Sequence, residues 1–176
     1  ISFYGDYEQC ENDEEGLQIV HGYNKDHLPE CKQVVVGKIV NEHGLAIVNS
    51  TMNGNTSDIE WNQKALGLIK DLLGEKLNNA IYIADSKLIN LPTLEILMNV
   101  KRPIRFISRC PDNFYKKVAN KMITKAYEEN KWQEIGQVSN TKKASLYSTQ
   151  EFTADVEGDE LRFIVVKTSE GKGRAE

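Results

Sequence analysis

The chain has 176 residues, a formal net charge of −4 and 40% hydrophobic residues, which bounds it to one ordinary globular domain or a domain with a small appendage. It has no apolar run of membrane-spanning length and no basic start with a cleavage site, so it reads as having neither a transmembrane segment nor a secretory leader. Cys10, Cys31 and Cys110 are widely spaced and form no C-x-x-C pair; this argues against a disulfide framework or zinc site and fits a reducing cytosol.

Residues 1–4 (ISFY) form a strand ended by Gly5, in a chain that opens without Met and is read as an internal piece of a longer protein. An acidic loop over 8–16 follows, then an ambiguous stretch over 17–23 and a polar loop over 24–30 stopped by Pro29. The β-branched run 33–40 (QVVVGKIV) predicts a strand. A turn over 41–44 (NEHG) leads to a second strand over 45–52, making a hairpin. Ser57 or Asp58 caps a helix that runs to Leu73 and stops at Gly74, with Ile59, Leu66, Ile69, Leu72 and Leu73 at helical spacing.

Residues 80–84 predict a buried strand ending at Asp85. A short helix over 91–100 carries Pro92 in its first turn, and 105–109 is a strand closed by Pro111. A long amphipathic helix over 113–130 sets Phe114, Val118, Met122 and Ile123 on one side. Strands follow over 132–138, 143–152 and 161–167, the last two joined by a turn at 157–159; the tail from Ser169 is polar and frayed. A hairpin followed by β-α-β units predicts an α/β core with a mixed sheet, and the terminal strands a separate antiparallel layer or insertion.

Asp85 raises the chemical question, because a carboxylate closing a buried strand is costly unless something pairs with it. It is either a cap or turn residue or a metal ligand. Asp58 is explained by its place at a helix start. The loop residues Lys25 and His27 can touch phosphates or remain solvated. His21, His27 and His43 are not at zinc-ligand spacing. Trp61 and Trp132 read as packing residues rather than base-stacking ones. Arg105 and Arg109 share a face of one strand; a structural role suits Arg105, and Arg109 can meet a phosphate backbone or pair with a core acid.

Residues 1–30 hold eight acids against Lys25, a balance of −7, which leaves +3 for 31–176. The stretch from Lys116 and Lys117 to Lys143 is rich in lysine, consistent with a phosphate-facing patch or with a solvated helix face.

Six stretches occur together in order: Ile1-Ser2-Phe3-Tyr4-Gly5-Asp6-Tyr7, His21-Gly22-Tyr23-Asn24-Lys25-Asp26-His27, Lys32-Gln33-Val34-Val35-Val36-Gly37, Gly54-Asn55-Thr56-Ser57-Asp58, Tyr82-Ile83-Ala84-Asp85-Ser86 and Phe106-Ile107-Ser108-Arg109-Cys110-Pro111. Together they resemble insertion-sequence transposases of the DDE type, the group marked by a Y-R-E-K signature, over residues 1 to about 168. The resemblance implies a ribonuclease-H-like mixed sheet with flanking helices over 1–112, and a C-terminal antiparallel β-rich insertion with its helix over 113–176. It implies that Asp85 is the second of three catalytic, metal-binding carboxylates, with the first Asp upstream of Ile1 and the Glu beyond Glu176.

The implied activity is phosphoryl transfer on DNA with Mg²⁺ or Mn²⁺, in which two cations clamp the scissile phosphate. The implied partners are terminal inverted repeats and target DNA, contacted by Lys25, His27, Arg109, Lys116 and Lys117, with a homodimer as the working form. The implied location is the prokaryotic cytoplasm, at the nucleoid and not at a membrane. Leu28 stands where the family pattern has Arg, and Glu30 and Cys31 replace Asp and Leu. These departures favour the alternative of a non-catalytic remnant that at most binds DNA. A hydrolytic nuclease on the same core is a third reading.

Overall fold

In the computed structural model, strand β1 (Ser2–Phe3) pairs antiparallel with β2 (Lys32–Val40), and β2 with β3 (Ala46–Asn53). The structure describes residues 1–5, 16–24, 27–98, 103–111, 113, 116–137 and 145–169. The fold is mixed α/β, with three α-helices and three small sheets among the described residues. No helix among them is long and apolar enough to cross a membrane. The chain divides into two compact units, Ile1–Pro111 and Asp112–Glu176.

The β2–β3 hairpin turns on Asn41, whose side-chain oxygen accepts from the backbone N–H groups of His43 and Leu45, each at 3.0 Å. The stretch that was ambiguous in sequence docks on the far end of this hairpin. Val20 bridges to Gln33, Gly54 N–H donates to the Gln18 carbonyl at 3.2 Å, and the Gln33 side chain donates to the Gly54 carbonyl at 2.7 Å. Gly22 and Gly54 meet backbone to backbone: a Cβ on Gly54 would strike the Gln33 and Val20 carbonyls, and one on Gly22 the Gly54 carbonyl.

Helix α1 (Asp58–Leu73) starts at a capping box. The Ser57 hydroxyl accepts from Glu60 N–H at 3.2 Å, and the Glu60 carboxylate accepts from Ser57 N–H at 2.7 Å. Gly74 ends the helix, its N–H donating to the Lys70 carbonyl. The face bearing Asn62, Ala65, Leu66 and Ile69 is buried, whereas Ile59 and Leu72 are exposed. Trp61 lies over β2 at Gly37, where a Cβ would come within 2.5 Å of the indole. Trp61 is a packing residue, and its partner position must be glycine.

After a 3₁₀ turn (Gly74–Asn79), strand β4 (Tyr82–Ala84) pairs in parallel with β5 (Phe106–Ser108) across a 3₁₀ turn (Ser86–Leu88) and helix α2 (Leu91–Leu97). Asn90 caps α2 through Thr93, with Pro92 in the first turn. Leu66, Leu88, Thr93 and Leu97 are the largest fully enclosed side chains of this unit. The expected buried strand is corrected here: Ile83 is 72% and Ile107 53% exposed. Parallel strands are buried on both faces only when helices cover both. In this unit α1 and α2 pack together, and the face carrying Ile81, Ile83, Arg105 and Ile107 is open.

In the second unit, helix α3 (Lys116–Glu129) packs on a meander of β6 (Gln133–Gln137), β7 (Leu146–Val156) and β8 (Asp159–Thr168). Met122, Ala126 and Phe152 form its core, with Val118, Trp132, Ala154, Phe163 and Val165 packed against them. Ile123, expected on that side, is exposed, and Phe114 lies outside the described residues. The β7–β8 hairpin closes on Glu157 and Gly158, both at positive φ (55° and 93°), as a tight turn matched to strand twist requires.

Gly54→Ala should destabilise the chain by about 1–3 kcal/mol, because the added methyl meets backbone that cannot yield; a urea unfolding series measures it. The Ser57 hydrogen bonds hold the Glu60 carboxyl below its ordinary value of 4.5, the backbone bond being the larger cause. The folded chain therefore binds this proton less tightly than the unfolded one. The stabilisation stands above the ordinary value and is lost as pH falls through the lowered one. The gap in urea midpoint between wild type and Glu60→Gln should be present near neutral pH and shrink as pH falls below the ordinary carboxylate value.

Candidate functional site

The candidate site is built where β4 and β5 end side by side, with Ala84 opposite Ser108. Asp85 leaves β4 in extended backbone and caps the Ser86–Leu88 turn, its Oδ1 accepting from Lys87 N–H at 3.0 Å. The cap role posed by the sequence is met. Capping uses one carboxylate oxygen; the other makes no hydrogen bond or ion pair among the described residues, and the side chain is exposed.

Two serines tie the strand ends together. Ser108 Oγ donates to the Asp85 carbonyl at 2.7 Å, and Arg109 Nη2 donates to Ser86 Oγ at 3.4 Å. Arg109 is exposed, and no carboxylate lies within ion-pair distance of it among the described residues. Lys87, on the same turn, is also exposed. A carboxylate and an uncompensated guanidinium thus stand at the carboxyl ends of two parallel strands, where ligands of open α/β sheets bind. On β4 itself, burial pushes the Tyr82 phenol up, so it stays protonated near neutral pH.

The other expected residues are not gathered here. His27 is exposed at φ 56°, its N–H donating to the Asn24 carbonyl at 3.2 Å, with no bond to the Asp85 turn. Lys25 lies outside the described residues. Lys116 and Lys117 are exposed at the start of α3 in the second unit. The structural role expected of Arg105 has no counterpart: its side chain is exposed and makes no hydrogen bond or ion pair among the described residues. Among the described residues, no group of three or more His, Cys, Asp or Glu side chains converges as a metal site.

Sequence reasoning passed over Ser86, Lys87 and Ser108. The signal was present, since Asp85-Ser86 and Ser108-Arg109 close the two paired strands. No family model, curated protein or solved structure matches the chain.

Ser108→Ala should cost about 0.5–1.5 kcal/mol, because it deletes the tie to the Asp85 carbonyl. Arg109→Ala should stay within about 0.5 kcal/mol, as surface changes away from packed features do. Urea unfolding of both variants checks the contrast.

Proposed function

We propose that the chain is part of the catalytic domain of a DDE-type DNA transposase, with a ribonuclease-H-like core over 1–112 and a β-rich insertion over 113–176. The observation that carries this reading is the half-committed carboxylate of Asp85 beside Arg109, at the carboxyl end of a parallel strand in a β-α-β unit. The antiparallel β1–β2–β3 sheet preceding that unit supports it.

An exposed hard oxygen donor suits Mg²⁺ or Mn²⁺, which is held by one or two carboxylates together with phosphate oxygens and water. Asp85 is the residue of this chain that would hold it. Bound metal would activate the attacking oxygen and stabilise the leaving one. The chain's own groups position the DNA. Asp85 Oδ1 accepts from Lys87 N–H, leaving the second oxygen without a hydrogen bond among the described residues, and Arg109 donates to the Ser86 hydroxyl while its remaining N–H groups can meet a phosphate. The terminal repeats and target DNA are the partners, and paired ends call for a dimer. The reading requires two further carboxylates, which the resemblance places outside residues 1–176. Leu28, in place of the family's Arg, favours the second reading of a non-catalytic remnant.

Residues 1–176 alone should show no Mg²⁺-dependent DNA cleavage, since one carboxylate cannot hold two metals; robust cleavage would sink this assignment. In a longer protein carrying the flanking acids, Asp85→Ala should lower strand cleavage by roughly a hundred-fold or more. Gel analysis of joined against merely cut products separates transposase from nuclease.

A further inference from the structure

The sheet of the second unit has two edges, and they are unlike. β6 lies on one side of β7 and β8 on the other. The β6 edge is interrupted by a register shift between Glu134 and Gly136, with Gly136 at φ 98°. Bulges bend a strand and spoil its edge for further pairing. β8 has no such device. Its ten residues contain no proline, and its register with β7 runs unbroken from Asp159 to Thr168. It presents a continuous edge of about 33 Å.

The ladder to β7 fixes which groups face outward. Ser169 N–H donates to the Leu146 carbonyl at 2.9 Å, in phase with the Tyr147–Thr168 register. Hydrogen-bonded pairs alternate along an antiparallel ladder. The odd-numbered residues of β8 therefore bond to β7, and Glu160, Arg162, Ile164 and Val166 turn their N–H and C=O groups outward. These backbone groups bond to no other element among the described residues. Ile164 and Val166 are 46% and 56% exposed, and Arg162 is drawn to Glu151 at 3.7 Å.

We propose that β8 pairs antiparallel with β8 of a second copy of this chain, about a two-fold axis. Charge selects this occupant. The strand starts with Asp159 and Glu160 and carries Lys167 near its end. Antiparallel pairing brings each acidic start to the second copy's lysine, whereas parallel pairing in register sets like against like. The register follows from the same chemistry. With Phe163 on the axis, Asp159 faces the second copy's Lys167, Leu161 faces its Val165, and the four outward residues exchange backbone bonds. With Arg162 on the axis, two guanidinium groups face each other, which is unfavourable. With Ile164 on the axis, Leu161 faces a lysine. A two-fold contact closes at two copies, whereas β8 laid on the next copy's β6 would meet the bulge and propagate without closing. The function proposed above calls for a dimer and names no surface for it; this one stands on β8 alone and involves neither Asp85 nor DNA.

The test is sedimentation of chain 1–176 over a concentration series. Wild type should form a dimer and stop there. Ile164→Pro removes an outward N–H and no bond to β7, so it should keep the circular dichroism of wild type and raise the dimer dissociation constant by roughly ten-fold or more. Ile164→Lys, which does not depend on the strand tolerating proline, should weaken the dimer as well, because it sets a lysine against the second copy's Arg162. Asp159→Lys and Lys167→Glu should each weaken it, and the two exchanged together should restore it, which a folding defect cannot do. Asp85→Ala should dimerise as wild type does, so failure of the catalytic reading leaves this proposal standing. A monomeric wild type, as when the edge serves a strand of a different protein, would overturn it. So would open-ended assembly, a dimer indifferent to both Ile164 variants, or a double exchange that restores nothing.

Discussion

Within residues 1–111, the packing of one helix face decides what the other elements can do. The two sheets of this unit, β1–β2–β3 and β4–β5, are separate hydrogen-bonded ladders. Helix α1 touches β2 through Trp61 over Gly37, and it packs against α2 and both 3₁₀ turns. Ala65 and Leu66 are fully enclosed in that contact. Three-residue parallel strands have little stability of their own, because their ladder is short and their crossover must be packed to hold register. Asp85 stands where it does because Leu88, three residues on, is locked into this packing. The position of the carboxylate is thus inherited from an apolar contact.

The sequence made some of this legible and concealed the rest. Ser57 and Gly74 bounded α1 because caps are local chemistry, decided by a few neighbouring residues. The β2–β3 hairpin was readable from its β-branched run and the Asn41–Gly44 turn. Burial of β4 was misjudged, because an apolar run reports what a strand can bury and not whether a second layer covers it. The docking of the Val20 segment on Gln33 was hidden for a different reason. It depends on two glycines, Gly22 and Gly54, that lie far apart in sequence and carry no periodic pattern. At the candidate site the acid and the arginine were legible by type, but the serines that tie them depend on strand register.

The residues offered for function share one physical trait: little in the described structure needs them for stability. Arg109 makes one long hydrogen bond to a neutral hydroxyl. Asp85 uses half its capacity on a turn. Lys116 and Lys117 are exposed and make no ion pair among the described residues. Residues that serve the fold behave otherwise here: Asn90, for example, caps α2 and also accepts from the Thr93 hydroxyl at 2.8 Å.

The β7–β8 hairpin has a kinetic consequence. Its ten register pairs radiate from one two-residue turn, so each pairing step closes only a short additional loop. Local ladders of this kind form in about 1–10 μs. In the first unit, by contrast, β1 must find β2 across a separation of 33 residues, as the bonds between Ile1 and Val34 show. Such closure is entropically slower to reach. The second unit therefore carries a local nucleus, as the β2–β3 hairpin is in the first, whereas β1 joins the first unit only through a long closure.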